Sequence, residues 1–143
     1  MIILDTNVVS EPLKAAPEPA VPAWLDAQSS ATLYLTSITL AELQAGVAAL
    51  PAGKRRNLLD KVLAQQVLPS FEGRILAFDA RAAHACAQVH AGAQAAGNPI
   101  GFAEGAIAAI AAAHGFALAT RNTRDFKGTG VGLIDPWEAG RQR

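Results

Sequence analysis

Three consecutive aliphatic residues, Ile2-Ile3-Leu4, run straight into an acid, Asp5. An apolar run without polar alternation fits a strand covered on both faces, as strands inside a parallel sheet are. Asp5 then stands at the carboxyl end of that strand. Further short apolar segments recur along the chain: Leu33 to Thr36, Ile75 to Phe78 ahead of Asp79, Phe116 to Ala119, and Gly132 to Ile134. Between them lie segments of helical period. From Ser37 onward, Ile38, Leu40, Leu43, Val47 and Leu50 share one face, with Ser37 or Thr39 as cap and Pro51 as the stop, which places Glu42 in an early turn. Lys54 to about Leu68 reads as a helix with a stripe of Leu58, Leu59, Val62, Leu63 and Val67 and an exposed basic end, Lys54-Arg55-Arg56.

Ala80 to Ala96 predicts an alanine-rich helix closed by Gly97-Asn98-Pro99, and Glu104 to His114 another, with Gly115 just past its end. In Ala15 to Pro22 the prolines Pro17, Pro19 and Pro22 are read as excluding a regular helix or central strand, with a short helix at Trp24-Leu25 ending by Ser29-Ser30. Strands alternating with helices define an α/β fold: a three-layer sandwich with a central, mainly parallel sheet flanked by helices. With 143 residues, 51% of them hydrophobic, one domain over residues 1–143 is expected to bury its own core.

The formal net charge is zero, so no overall field gathers polyanions, and any nucleic-acid binding must use a local basic face. The single cysteine, Cys86, sits among alanines and reads as a buried thiol in a reducing compartment. The opening lacks a basic region before its short apolar run, which is not the pattern of a signal peptide. The most apolar stretch, Ala106 to Ala113, falls well short of the roughly twenty residues a membrane span needs. A cytoplasmic protein is expected.

In open α/β sheets the ligand crevice lies outside the carboxyl ends of the strands. Asp5, Glu42, Glu104 and Asp125 all follow strands or open helices there. Oxygen donors without histidine or cysteine select Mg2+, or Mn2+, over zinc. Each acid also has a plainer use: Asp5 as a cap near Asn7, Glu42 as a solvated helix residue, Glu104 as a first-turn acid facing the helix dipole, and Asp125 as a turn residue or partner of Arg121. Their joint placement favours a metal-assisted site, in which a cation lowers the pKa of water and neutralises charge building on a phosphodiester.

Three segments carry a resemblance: Ile3-Leu4-Asp5-Thr6-Asn7; Leu35-Thr36-Ser37-Ile38-Thr39-Leu40-Ala41-Glu42-Leu43-Gln44-Ala45-Gly46; and Thr120-Arg121-Asn122-Thr123-Arg124-Asp125-Phe126. Together with the ending Gly132-Leu133-Ile134-Asp135-Pro136-Trp137, they resemble the PIN-domain toxins of the VapC family, in particular its FitB-like branch. The resemblance runs in order over nearly the whole chain. It implies a Mg2+-dependent ribonuclease toxin, a homodimer, paired with a small VapB-like antitoxin that blocks the site and through which operator DNA is bound. By the same resemblance Asp5 is the principal metal ligand, Glu42 completes or orients the site, and Glu104 stands where the family usually has an aspartate opening the helix. Thr6, Asn7 and Thr120 become neighbours that hydrogen-bond the acids or the phosphate.

Two departures matter. Glu104 is one methylene longer than the aspartate it replaces, and Mg2+ tolerates little deviation from octahedral geometry at about 2.0–2.1 Å. Asn122 stands where many PIN domains have a fourth acid, leaving Asp125 as the nearby carboxylate. Arg121, Arg124 and Lys127 are candidate phosphate contacts, with Lys54 to Arg56 as an outer patch, and aliphatic residues in Leu33 to Val47 are read as a surface compatible with dimerisation.

Other readings fail on particular residues. A haloacid-dehalogenase Asp-x-Asp needs an acid where Asn7 stands. The glycines Gly46 and Gly53 before Lys54 are too far apart for a P-loop, with Arg55 in place of a Mg2+-binding hydroxyl. Gly128-Thr129-Gly130-Val131-Gly132 lacks the strand and helix of a dinucleotide loop. His84, His90 and His114 show no metal-ligand pairing and read as surface or helix-end residues. Two alternatives stay open: a PIN fold weakened in catalysis by Glu104 that acts as a partner in a repressor complex, and a nuclease of this fold that acts on DNA.

Overall fold

The computed structural model describes residues 1–139 and Arg141. Its elements run β1 (Ile2–Leu4), α1 (Thr6–Ser10), α2 (Ala20–Asp26), β2 (Leu33–Thr36), α3 (Ser37–Ala48), α4 (Lys54–Val62), α5 (Leu68–Ser70), β3 (Ile75–Leu76), α6 (Ala80–Ala95), α7 (Phe102–His114), β4 (Ala117–Ala119) and β5 (Leu133–Ile134). The strands form one five-stranded sheet in the order β3-β2-β1-β4-β5. Every pairing is parallel, with Ile3 opposite both Tyr34 and Leu118, and Leu118 opposite Leu133. The α/β sandwich read from the sequence is the observed fold.

Both faces of the sheet are covered, and this is why its strands carry no polar alternation. Ile3 and Leu118 point into one core with Val89 of α6 and Ile107 and Ile110 of α7. Leu4 and Ala119 point into the other, with Val8 of α1, Val21 of α2, Leu43 of α3 and Leu63. Helices α6 and α7 are alanine- and glycine-rich where they meet. A methyl group on Gly105 would stand 2.4 Å from His90 Nε2, so the glycine makes room for that imidazole. Gly115 ends α7 at φ 68°, in the left-handed region that favours glycine.

Several sequence expectations need correction. Helix α2 begins at Ala20, inside the proline-rich stretch, because Pro19 precedes it and Pro22 lies in its first turn, where a missing N–H costs no helical hydrogen bond. The cap of α3 is Thr36, whose Oγ1 accepts the Thr39 N–H at 3.0 Å, rather than Ser37 or Thr39. Helix α4 passes through a π-helical turn at Leu63–Val67 before α5, and Leu58 is left out of the packed stripe, exposed. Leu33, Leu35 and Leu43 are buried in the core, so they do not supply the dimer surface read from that segment. Helix α7 starts at Phe102, two residues ahead of Glu104.

Candidate active site

Asp5 is placed by the end of β1. Its N–H donates to Ala119 O at 2.9 Å, continuing the sheet, and the backbone then turns into α1 with Asp5 as N-cap. One carboxylate oxygen, Oδ1, accepts the Thr6 N–H at 2.8 Å. The other, Oδ2, accepts the Thr120 hydroxyl at 2.8 Å and the Asn7 side-chain amide at 3.4 Å. Asp5 is buried, at 7% exposure, and Thr120 at the end of β4 is fully buried. Burial pushes the Asp5 carboxyl above its ordinary value; hydrogen bonds from Thr120 and Thr6 pull it back, and the charges of Glu104 and Asp125 add to the push.

The neighbours predicted from the sequence assemble around this carboxylate. The Thr6 hydroxyl donates to Glu42 Oε1 at 2.9 Å, joining α1 to α3. Thr120 Oγ1 accepts the Asn122 N–H at 3.0 Å, and the Arg121 N–H donates to Asn7 Oδ1 at 3.2 Å. Asp5, Thr6, Asn7, Glu42, Thr120, Arg121 and Asn122 therefore form one hydrogen-bonded cluster across the carboxyl ends of β1 and β4. Glu104 and Asp125 act on Asp5 through charge and make no hydrogen bond to it. The Glu104 carboxylate turns back toward the start of its own helix: a methyl group on Gly101 would stand 2.8 Å from Oε2. Asp125 is exposed in the short 3-10 turn Thr123–Phe126, its N–H bonded to Asn122 O at 3.0 Å. Arg124 and Lys127 are exposed on the same loop.

Among the described residues, no three His, Cys, Asp or Glu side chains stand close enough to hold one metal ion by themselves. The chemistry of the donors nevertheless fits a hard divalent cation. Asp5, Glu42, Glu104 and Asp125 offer only oxygen, two of them raise the pKa of a third, and Mg2+ ordinarily takes one or two carboxylates and keeps several waters. A groove of about 330 Å³ opens beside Thr6 and Glu42, lined further by Leu43, Val47, Lys14 and Arg55.

Three residues here carry no sequence signal for their roles. Glu11 is buried at 5% exposure, paired with Lys14 at 2.7 Å and accepting the Glu18 N–H at 3.0 Å. Those bonds, with the Arg121 charge, hold its carboxyl below the usual range. Asn98, read only as part of a helix stop, donates from Nδ2 to Arg124 O at 2.9 Å and Lys127 O at 3.2 Å, tying the basic loop to the end of α6. Trp137 lies 5.3 Å under the Arg121 guanidinium. Asn98 and Trp137 depend on contacts distant in sequence, and Glu11 on a fold of the chain back onto Lys14 and Glu18 that spacing alone does not reveal.

A parallel sheet in this order, with acids gathered at its carboxyl edge, defines a PIN-type domain, and residues 2–131 match the PIN domain family. The chain belongs to that family and, within it, to the VapC ribonuclease toxins. It is 53% identical over 138 residues to the VapC ribonuclease Y4jK of Sinorhizobium fredii, covering 96% of this chain and 99% of that protein. It is 47% identical over 137 residues to toxin FitB of Neisseria gonorrhoeae, covering 96% and 99%. The crystal structure of FitAcB from that organism matches with a TM-score of 0.92, at 47% identity and the same two coverages. The structure of FitAB bound to the IR36 DNA fragment matches with a TM-score of 0.93, at 45% identity over 96% of each chain.

Proposed function

We propose that this chain is a single-domain, Mg2+- or Mn2+-dependent endoribonuclease, the toxin of a type II toxin-antitoxin pair. The observation that carries the reading is the buried Asp5 carboxylate, held from both sides by Thr6 and Thr120 and pressed by the charges of Glu104 and Asp125. Such a site concentrates negative charge where substrate phosphate must also come, an arrangement that a cation between them would relieve.

Asp5 is the principal ligand in this account, with Glu104 and Glu42 completing or orienting the site and Asp125 as the outer acid. A bound divalent cation supplies a lowered pKa for water and neutralisation of charge on the phosphate. The protein's own part is to hold the carboxylates ready. Thr120 and Thr6 fix the two Asp5 oxygens, and Thr6 also fixes Glu42. Arg121 and Arg124 meet the RNA backbone. Asn7 holds the Arg121 backbone, and Trp137 supports its guanidinium.

By likeness to FitAB on DNA, the chain pairs with a VapB-like antitoxin, and contacts operator DNA through that partner. The apolar groove beside Thr6 and Glu42 is where we place the inhibiting segment. A homodimer is part of the reading, resting on the resemblance, and sizing in solution tests it; a cytoplasmic location is the further expectation drawn from the sequence. A second reading, a catalytically weakened partner in a repressor complex, is favoured by one observation, the backward turn of Glu104 over Gly101.

The test is cleavage of a small-RNA pool and of DNA of matched sequence by antitoxin-free protein in Mg2+, Mn2+ or EDTA. RNA cut only with metal is the expected result. Cutting of DNA in preference to RNA refutes the assigned substrate, and no cutting of either supports the weakened reading.

A further inference from the structure

Of the chain's five phenylalanines, all within the described residues, Phe102 is the one left exposed, at 71%. It is the first residue of α7, in the same helical turn as Glu104. It therefore lies at the carboxyl edge of the sheet, but two positions before Glu104 its ring is turned roughly 200° from that acid round the helix, toward Phe78 beyond the end of β3. Its contact is with Phe78, at 6.2 Å between ring centroids and 62° between planes. Phe78 is itself anchored: it packs on the core beneath α7, and its N–H donates to Ser37 Oγ at 3.2 Å. A tilted edge contact of this kind supports Phe102 without covering both of its faces.

Folding gains little from a ring so exposed, since the apolar driving force scales with the area removed from water. A net charge of zero also leaves this protein without the long-range attraction on which basic RNA-binding proteins rely. Stacking on an aromatic face supplies affinity that needs no charge and tolerates any base. We propose that Phe102, propped by Phe78, is a stacking platform for a nucleobase of the single-stranded RNA whose backbone enters the acidic site. This rests on the ribonuclease reading and deepens it. Phe102 binds one unpaired base on the β3 side of the acids, while Arg121 and Arg124, which follow β4, hold phosphates on the other side.

The test is binding of a fluorescein-labelled single-stranded oligoribonucleotide of mixed sequence, in Mg2+, to Asp5→Asn protein, which is expected not to cut, and to the same protein carrying Phe102→Ala, Phe102→Leu or Phe102→Trp. Loss of about tenfold in affinity for both Ala and Leu, with retention by Trp, is the expected result. RNA should also quench the Phe102→Trp fluorescence beyond any change shown by the native Trp24 and Trp137. Equal affinity of the Leu variant, or no change in any variant, overturns the platform. So does a shift in oligomeric state with unchanged RNA affinity, which assigns Phe102 to a protein contact. Cleavage of a long RNA by the wild-type protein is read in parallel. Cutting that persists with Phe102 inert refutes the platform alone, whereas absence of metal-dependent cutting refutes the ribonuclease reading and the platform with it.

Discussion

The Thr120 hydroxyl donates a 2.8 Å hydrogen bond to Asp5 Oδ2, linking the ends of two adjacent parallel strands across 115 positions of sequence. Thr120 Oγ1 in turn accepts the Asn122 N–H, so one buried side chain both orients the principal acid and starts the basic loop. Replacing Thr120 by Val keeps the shape and removes both bonds. Stability should fall by about 1–3 kcal/mol, the usual cost of leaving buried polar groups unpaired. Mn2+ affinity should fall roughly 10–100-fold, as when the partner that orients a metal ligand is lost. Denaturant melts and Mn2+ titration by calorimetry check this, and an unchanged affinity would mean that Asp5 needs no such support.

Asp5 makes the metal-free fold sensitive to pH. Its carboxyl is raised chiefly by burial, so the folded chain binds that proton more tightly than the unfolded chain does. The associated stability is fully present below the ordinary value of 3.8 and is lost as pH rises through the raised folded value. At neutral pH in EDTA the ionised carboxylate is therefore a burden, and Asp5→Asn should melt higher than the wild type. The gap should close at acid pH, and it should also close when Mg2+ is added, because only the wild type gains the cation. A variant that melts lower than wild type at neutral pH in EDTA would contradict the burial argument.

Glu104→Asp shortens the side chain that now folds back over Gly101. With the carboxylate restored to the length usual in the family, Mn2+ affinity and the cleavage rate should both rise severalfold. A fall in both would show instead that the longer acid reaches its place and that Gly101 exists to let it.

Packing between α6 and α7 offers a check of the fold itself. Gly105→Ala puts a methyl group 2.4 Å from His90 Nε2 and should destabilise by about 1–3 kcal/mol. The double variant Gly105→Ala with His90→Ala should recover most of that loss. Additive losses would mean that the two residues do not share the space.

The sandwich was legible because Ile2 to Leu4, Leu33 to Leu35 and Ala117 to Ala119 pack into a core on each face of the sheet, with Ile2, Tyr34 and Ala117 half-buried, and an unalternated apolar run means just that. Asp5 was legible as the acid that ends the first run, and Glu42 as an acid early in the helix that follows the second. The start of α2 was not, because a proline stretch reads the same whether it breaks a helix or begins one. The π turn at Leu63–Val67 leaves no mark on a helical pattern that continues beyond it. Glu11 was missed for another reason: an acid in a polar segment looks solvated until Lys14 and the Glu18 N–H are seen to close around it. The thread from Thr6 to Glu42 was likewise invisible, since it depends on where α1 leaves the sheet relative to α3.

The central claim is that this chain cuts RNA with a metal held at Asp5, and the measurement that reaches it most directly is the cleavage rate of a small-RNA pool by antitoxin-free protein, wild type against Asp5→Asn, with Mg2+, Mn2+ or EDTA. The account predicts metal-dependent cutting by the wild type that drops to the EDTA background in Asp5→Asn while the variant stays folded. Cutting that survives in folded Asp5→Asn, or that proceeds equally in EDTA, would contradict it.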